Sequence, residues 1–269
     1  MIERHPLGAT VACQMAIEEA LRRANSPHHP LPLAIALQFW AGDQARALRL
    51  ARFLADIEPT RRDDVMFIFA RANELGESRE LTETSLYCGQ KFPVTHLVSG
   101  RRGEGHLAGA YAIWSGVAEK LWQDYSTARG WPWQHVAFIE HDGVPLAKDW
   151  IDREKRAHAA NLSLGKRVTG ARMEACPCCP CHVTGQLIMD VRCWAEHPTL
   201  WTCPPGQAWD CRHAETLLSE WGPHSPIVNL YGATDVSASV FQVLSNGRAW
   251  LANVKDESAW NCAQRLARR

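Results

Sequence analysis

Short apolar stretches with a helical stretch between them most strongly constrain what this chain can fold into. Residues 33–37 read LAIAL and residues 65–70 read VMFIFA, and uninterrupted apolar runs of this length are typical of strands covered on both faces. The segment between them repeats its apolar residues at helical spacing, at Ala47, Leu50, Ala51 and Leu54. A strand, a helix and a second strand in this order predict a parallel pair and an α/β fold.

Two further strands are predicted before the middle of the chain. Residues 94–98 form the third, followed by a glycine-bearing turn at 99–105 and a helix with one apolar face. Residues 136–139 form the fourth and run directly into Glu140-His141-Asp142-Gly143. Because charged groups are costly at the end of a buried strand, we expect these to have a role.

The pattern changes in the second half of the chain. A charged helix is predicted at about 146–160, and the segments after it are longer and alternate between polar and apolar residues, at 183–194 and 237–244. Alternation predicts antiparallel strands and hence a mixed sheet. We therefore divide the chain into an N-terminal helical part at 1–30, a first half at 31–170 and a second half at 171–269.

Charge and composition exclude some functions. The chain has 29 basic and 29 acidic side chains, so no overall field attracts nucleic acid or an anionic membrane, and contact with either needs a local basic patch. The first residues lack the unbroken apolar core of a secretory signal, and no stretch reaches the roughly 18 apolar residues of a membrane span. We expect a cytoplasmic protein without a membrane partner, whose ten cysteines are thiols or metal ligands.

Glu140 and Asp142 lie where an open α/β sheet places its chemistry. Ligands of such sheets gather beyond the carboxyl ends of the strands. Two carboxylates separated by one residue can hold one hard cation together with a ribose or a diphosphate, and Gly143 allows a tight turn directly after them. The pair is weakly specific by itself, and a solvated turn with a helix cap is the alternative.

Together with the order of the elements, the segment VAFIEHDGVPLAKDWID at 136–152 resembles the nucleotide-sugar half of GT-A glycosyltransferases. In that family a metal-binding carboxylate motif follows the fourth strand. The resemblance covers about residues 32–260 in element order and is specific only at Glu140-His141-Asp142, where family members usually begin with Asp and this chain has Glu140. It implies a GT-A-like fold, a Rossmann-type mixed sheet flanked by helices, here with a cysteine-rich insert.

The same resemblance implies how a nucleoside diphosphate sugar binds to the half at 31–170. Asp142 would hold Mn²⁺ or Mg²⁺ and through it the diphosphate, with Glu140 at the ribose or the metal. The base and ribose would face the loop after the first strand, at Gln38, Phe39 and Trp40, with Arg71 and Asn73 nearby. The phosphates or the sugar would approach the start of the third helix, where backbone amides favour anions, at Arg102, Gly105 and His106. An aromatic on the rim and a polar helix residue are the plain alternatives for Trp40 and His106.

The half at 171–269 would bind the acceptor. Asp210 opens an apparent helix that runs through Trp221, and it resembles the acidic residue with which such enzymes take the acceptor's proton. A helix cap is the alternative for Asp210. Residues 229–235 occupy the place where family members often return a further metal or phosphate ligand, but they contain no histidine.

The most unusual stretch is CPCCPCH at 176–182. It contains two overlapping CxxC pairs, and thiolates at that spacing can surround one tetrahedral, structural zinc ion. The predicted ligands come from a pool of six: Cys176, Cys178, Cys179, Cys181, Cys203 and Cys211. Cys193, His197 and His213 also follow nearby in the sequence. A redox pair, an iron–sulfur cluster and a thiol-rich loop without a ligand are the alternatives.

These observations predict a metal-dependent glycosyltransferase that moves a sugar from a nucleoside diphosphate sugar to a hydroxyl acceptor. Its size, local basic groups and expected location resemble virus-encoded enzymes that glycosylate hydroxymethylated pyrimidines in DNA, which would place it in the host cytoplasm. One alternative is a zinc-stabilised nucleic-acid-binding module without catalysis, which predicts strong salt dependence. Another is nucleotidyl transfer, but this calls for a glycine-rich phosphate loop where the chain has Trp40-Ala41-Gly42-Asp43.

Overall fold

The computed structural model describes residues 31–72, 74–99, 105–127, 133–174, 179, 181–204, 206–230, 249, 251–254 and 257–268. Several predictions fall outside these residues: the N-terminal helical part at 1–30, the strand at 237–244, the segment 231–235, and Asn73, Arg102, Cys176 and Cys178. Within the described ranges, every helix is too short or too polar to cross a membrane.

Two sheets are present in the described chain. Their strands are β1 Leu33–Phe39, β2 Val65–Arg71, β3 Val94–Val98, β4 His135–Glu140, β5 Gly143–Pro145, β6 Val168–Met173, β7 His182–Asp190, β8 Ile227–Asn229 and β9 Leu251–Asn253. The main sheet has the order β3-β2-β1-β4-β7-β6, and the small one has the order β5-β9-β8. In the main sheet β1 to β4 are parallel, whereas β7 is antiparallel to β4 and β6.

Helices cover both faces of the main sheet. They are α1 Gln44–Ile57, α2 Arg79–Cys88, α3 Gly105–Thr127, α4 Trp150–Ser163, α5 Arg192–Glu196, α6 Trp209–Arg212, α7 Ala214–Glu220 and α8 Glu257–Ala267. A 3-10 turn at Ala41–Asp43 precedes α1, and another at Pro198–Trp201 lies between α5 and α6. The predicted class, a mixed and mostly parallel α/β sheet flanked by helices, is confirmed.

The apolar run of β1 explains why the sheet is covered twice. Its side chains alternate between the faces. Leu33, Ile35 and Leu37 pack in the core cluster that contains α1 and α8, and Ala34 and Ala36 pack in the cluster that contains α3. All seven residues of β1 are buried. Because both faces of β1 are buried, its polar residue Gln38 lies near its end, and the exposed residue Trp40 follows the strand.

The second half of the chain differs from the sequence-based prediction in two details. The alternating segment at 183–194 is a strand only to Asp190, whose side chain accepts a hydrogen bond from the backbone N–H of Arg192 at 2.9 Å, and α5 begins there. The helix predicted from Trp209 to Trp221 is two short helices, α6 and α7, divided at His213. The proposed division at residue 170 lies inside β6, which pairs with β7 in the main sheet.

Candidate functional site

A cavity opens at the carboxyl ends of β1 and β4, the two central parallel strands. β2 lies on one side of β1 and β4 on the other, so this is the switch point at which open α/β sheets bind ligands. The cavity has a volume of about 270 Å³, near the lower end of the range for ligand pockets. We call it the strand-end cavity. It is lined by Gln38, Phe39, Trp40, Asp43, Arg46, Gly109, Ala110, Ile113, Glu140 and His141.

A larger cavity of about 400 Å³ lies along β3 and α3 at the outer edge of the main sheet. It is away from the carboxyl ends of the two central strands. Two of its charged residues, Lys120 and Asp124, bond to each other at 2.6 Å. Because open α/β sheets bind ligands at the switch point beyond the carboxyl ends of their strands, we place the candidate site in the strand-end cavity.

The residues that end β1 form one wall of the strand-end cavity. Gln38 and Phe39 are buried, and the ring of Phe39 packs edge-on against Phe69 with centroids 6.5 Å apart. Trp40 is 49% exposed, and its ring lies so close to Gly42 that a Cβ there would come within 2.6 Å of it. Glycine at position 42 therefore allows the indole to lie against the turn. The three residues predicted to face a base and ribose do line the cavity, and Trp40 offers the most open surface.

The opposite wall carries Glu140 and His141. Glu140 ends β4 and lies next to Gln38 in the register of the sheet. The His141 Nδ1 atom lies 3.5 Å from the Asp43 Oδ2 atom, which connects this wall to the turn that precedes α1. Arg46, in the first turn of α1, completes the charged lining. A carboxylate, an imidazole and a guanidinium thus face the same space.

Asp142 is buried beside the strand-end cavity and not on its wall. It is 3% exposed. Its Oδ1 atom accepts a hydrogen bond from Gln186 Nε2 at 3.1 Å, and its backbone oxygen accepts one from Val254 N at 2.8 Å. It borders a small space of about 10 Å³ that it shares with Arg46 and Arg49. Asp142 is therefore held in place by β7 and by the residue after β9.

The donor atoms at this turn fit a divalent cation that binds together with an anionic group. Carboxylate oxygens, such as those of Glu140 and Asp142, are the ligands that Mg²⁺ and Mn²⁺ accept. Arg46 lines both the cavity and the small space beside Asp142, and its positive charge repels a bare cation but attracts a phosphate. The residues therefore fit a cation that binds together with a diphosphate better than they fit the cation alone.

Arg71 lies at the end of β2 but does not line the strand-end cavity. It is 4% exposed, and its Nη1 atom donates hydrogen bonds to the backbone oxygens of Leu75 at 3.0 Å and Gly76 at 2.7 Å. Its guanidinium therefore holds the loop after β2. Gly105 and His106 are the first residues of α3, the helix whose next turn lines the cavity; the side chain of His106 lies outside the described part of the chain.

Comparisons with known proteins do not decide what this site binds. Neither protein-family models nor curated proteins match the sequence. Among solved structures, the chain is similar to a mannosyltransferase, PcManGT, from Pyrobaculum calidifontis in complex with GDP-Man and Mn²⁺, with 10% identity and a TM-score of 0.44 over 80% of this chain and 63% of that one. It is also similar to the apo structure of the bifunctional glycosyltransferase WbbM, with 11% identity and a TM-score of 0.46 over 86% of this chain and 47% of that one.

Both similarities are distant. The chain spans less than two thirds of the length of either structure. Because the same α/β architecture hosts unrelated activities, a likeness at this level leaves the function to be argued from the site itself.

A second group of functional side chains lies where the cysteine-rich segment meets α6. Cys179, His182 and Cys211 place one ligand atom each within 4.8 Å of one another; we call them the Cys-His cluster. The Sγ atom of Cys179 is 3.5 Å from Nδ1 of His182. Two of the six predicted zinc ligands, Cys179 and Cys211, belong to this cluster.

Two other cysteines of the predicted pool point elsewhere. The Sγ atom of Cys181 accepts a hydrogen bond from Arg172 Nε at 3.1 Å. The thiol of Cys203 faces backbone oxygens of its own loop, those of Pro204 at 3.8 Å and Gln207 at 3.6 Å. Neither is part of the Cys-His cluster.

Asp210 lies beside the Cys-His cluster. Its Oδ2 atom is 3.7 Å from Nε2 of His182, and its Oδ1 atom accepts a hydrogen bond from the backbone N–H of Cys211 at 2.9 Å. It is not among the residues that line the strand-end cavity. The role of Asp210 as the acceptor's base stays a prediction.

Sequence reasoning missed three residues of these sites. Arg46 lies in a helix whose sequence does not distinguish it from other polar residues, and only the fold shows that it lines the cavity. Gln186 lies in the alternating segment of β7, where its neutral side chain gives no signal. His182 could have been found, because Cys179-x-x-His182 has the spacing of paired metal ligands.

Proposed function

We propose that the protein transfers a sugar from a nucleoside diphosphate sugar to a hydroxyl acceptor at the strand-end cavity. One observation carries this proposal: at the switch point of the sheet, an exposed aromatic ring, a carboxylate and a guanidinium line one cavity. A nucleotide presents an aromatic base, a ribose with hydroxyl groups and an anionic diphosphate. Each of these parts has a matching group on the cavity wall.

Each matching group has a defined task in this proposal. Trp40 stacks on the base, since its ring is the most exposed apolar surface of the lining. Glu140 accepts hydrogen bonds from the ribose or binds the cation. Arg46 binds the diphosphate, assisted by the amides at the start of α1. Arg71 orders the loop after β2, and Asn73, Arg102, Gly105 and His106 stay predicted contacts of the donor.

The buried position of Asp142 supports a role in holding Mn²⁺ or Mg²⁺. A bound divalent ion would neutralise the charge that develops on the departing nucleoside diphosphate. Gln186 fixes the carboxylate of Asp142 through one oxygen, so its orientation is set before a ligand arrives. Such preorganisation avoids the cost of reorganising the group when the donor binds.

The acceptor is the least defined part of the proposal. Hydroxymethylated pyrimidines in viral DNA, and with them a host-cytoplasmic location, stay predictions. The basic pair Lys166-Arg167, one of the local basic groups, bonds within the protein: Arg167 pairs with Glu196 and Glu220, and the ammonium of Lys166 donates to the backbone oxygen of Ser219. Simple glycosides and modified DNA are therefore both tested as acceptors.

The test of the proposal measures donor binding and turnover. UDP- and GDP-sugars are added with Mn²⁺ and then with a chelator, and the shift in thermal midpoint is recorded. Release of nucleotide is recorded with simple glycosides and with modified DNA as acceptors. We expect one donor to stabilise the fold only with Mn²⁺. Glu140→Gln and Asp142→Asn should lower turnover at least about 100-fold, because the ion contributes several kcal/mol to stabilising the transition state.

The matched control is Glu80→Gln, which removes an exposed carboxylate on α2. It should keep turnover and donor binding. The proposal is wrong if no nucleotide or nucleotide sugar stabilises the fold, or if Glu140→Gln and Asp142→Asn both turn over at the rate of the native chain.

A further inference from the structure

We propose that Cys179, His182 and Cys211 bind one zinc ion, and that Asp210 is the positioning residue that orients His182 for it. The proposal narrows a pool of six cysteines to two and adds a histidine. It does not depend on sugar transfer, because zinc binding is measured without a donor or an acceptor.

The separations within the Cys-His cluster are close to those of a tetrahedral zinc site. With Zn–S bonds of about 2.3 Å and Zn–N bonds of about 2.0 Å, neighbouring ligand atoms are about 3.5 to 3.8 Å apart. Cys179 Sγ and His182 Nδ1 are already 3.5 Å apart, and all three ligand atoms lie within 4.8 Å. A contraction of up to about 1 Å at the widest pair brings the three atoms to the separations of three tetrahedral ligands, and both thiols lose a proton when the ion binds.

Asp210 occupies the place of an outer partner for the histidine. In protein zinc sites, a ligating imidazole usually donates its second ring N–H to a carboxylate or carbonyl, which fixes the tautomer and the ring orientation. If Nδ1 of His182 faces the metal, Nε2 carries the proton and points toward the Asp210 carboxylate 3.7 Å away. His182 is 4% exposed, so it has little access to water as an alternative partner.

The remaining described cysteines are unsuited to this site. Cys181 and Cys203 bond to Arg172 and to their own loop, and Cys262 is buried in the apolar core cluster that contains α1 and α8. Burial raises the pKa of the Cys88 thiol to about 12 and also raises that of Cys193 well above its usual value. A thiol that resists deprotonation is a poor metal ligand, so Cys179 and Cys211 are the best candidates among the described thiols.

The ion would attach α6 to the beginning of β7, next to the strand-end cavity. Cys211 lies on α6 and His182 begins β7. On the same short helix, Trp209 stacks on Trp114 of α3 with centroids 4.1 Å apart. A four-residue helix has little stability of its own, so a metal ligand on it would fix the position of Trp209 against α3, the helix that lines the cavity.

The first test is metal content of the full-length protein purified under reducing conditions. We expect one zinc per chain by mass spectrometry, and its loss in Cys179→Ser and Cys211→Ser. Cys181→Ser and Cys203→Ser are the matched controls and should keep it. The proposal is overturned if the native chain contains no zinc, if the two site variants keep it, or if the controls lose it.

A second measurement tests the same proposal on the native chain, in case the site variants do not fold. The native chain is alkylated with and without a zinc chelator, and modification is read at each cysteine. Zinc should protect Cys179 and Cys211, while Cys181 and Cys203 react equally in both samples. Equal reactivity of Cys179 and Cys211 in both samples, or a Cys179–Cys211 disulfide, overturns the proposal.

Asp210→Asn separates the positioning role from an acceptor-base role. As the outer partner of His182, Asp210 should support zinc affinity, and its replacement should weaken zinc binding about tenfold in a chelator competition. Hydrogen exchange of residues 209–212 should also become faster when zinc is removed. If the zinc affinity of Asp210→Asn is unchanged, Asp210 does not orient His182, and this part of the proposal is overturned. Its predicted role as the acceptor's base is then still to be tested.

Discussion

The two ends of the central parallel strands both carry charged side chains but use them in different ways. At the amino ends, Arg62 donates two hydrogen bonds to the carboxylate of Asp64 and two to that of Asp152. The ammonium of Lys155 also bonds to Asp64. At the carboxyl ends, Glu140 and Arg46 line an open cavity instead.

We infer from this difference that the charged side chains at the amino ends stabilise the fold, whereas those at the carboxyl ends bind a ligand. Buried charges are tolerated when their partners are supplied by the protein itself, and the amino-end network consists of such pairs. Charges that face a cavity keep room for a ligand, and their partner is supplied when the ligand binds. We therefore expect substitutions at the amino ends to change stability and those at the carboxyl ends to change binding.

The largest effect on stability is expected for Asp64→Asn. It leaves Arg62 and Lys155 without a shared carboxylate, and their side chains are only 12% and 4% exposed. Breaking a buried pair costs about 3 to 5 kcal/mol, and we expect about 3 kcal/mol because the Asp64 side chain is 34% exposed. Denaturant unfolding measures the change.

The neighbouring residue provides the control. Asp63 pairs with Arg61, and both side chains are more than half exposed, so Asp63→Asn should change stability by less than about 1 kcal/mol. Asp64→Asn should also leave nucleotide binding unchanged at a temperature where the variant is folded. Equal destabilisation by the two variants would contradict the distinction between the two ends.

The same distinction explains which parts of this molecule its sequence predicts. The four parallel strands were located within two residues because a strand buried on both faces is a continuous apolar run. The end of β4 was predicted as a site because charged residues follow such a run. These signals are local in the sequence, and they need no knowledge of which segments meet.

Contacts between distant segments were not predictable in this way. Arg62 and Asp152 are 90 positions apart, and Gln186 and Asp142 are 44 apart. In the sequence, the residues of these pairs look like ordinary charged and polar surface residues, so only the fold shows that they are paired. The set of predicted zinc ligands also contained too many cysteines, because sequence spacing cannot show that Cys181 bonds to Arg172 and that Cys211 lies near His182.

Glu154 extends the comparison because it is a buried carboxyl group on α4 for which the described structure supplies no hydrogen-bond partner. It is 1% exposed, and neither carboxyl oxygen has a hydrogen-bond partner in the described structure. Burial raises the pKa of Glu154 to about 8, so the folded state keeps a proton that the unfolded state releases above its usual pKa near 4.5. Stability should therefore fall by about 2 to 3 kcal/mol between pH 5 and pH 7.

Glu154→Gln should remove this loss, because an amide does not titrate. Asp149→Asn, which changes a half-exposed carboxylate before the same helix, should keep it. Unfolding free energies at several pH values measure both variants. If Glu154→Gln shows the same fall from pH 5 to pH 7 as the native chain, Glu154 is ionised in the folded protein and has a partner after all.

The smallest effect of a single residue is expected on the acid side, where two buried histidines lie at the amino ends. His135 and His158 share a hydrogen bond of 3.2 Å, and His158 also bonds to Thr169 at 2.9 Å. Burial lowers the pKa of His135 to about 4 and that of His158 well below its usual value. Since both remain neutral when folded, stability is complete above about pH 6.5 and is lost as the pH falls toward 4, because the unfolded chain takes up protons first.

For His135 alone the expected loss between pH 6.5 and pH 5 is about 1.6 kcal/mol, and His158 acts in the same direction. His135→Gln removes one titrating group but keeps a polar side chain next to His158, so its acid-side slope should be shallower than that of the native chain. NMR titration of the two imidazoles gives an independent measurement. Imidazoles that protonate near pH 6.5 in the folded protein would show that burial does not keep them neutral, and the contrast between closed and open polar sites would fail at this position.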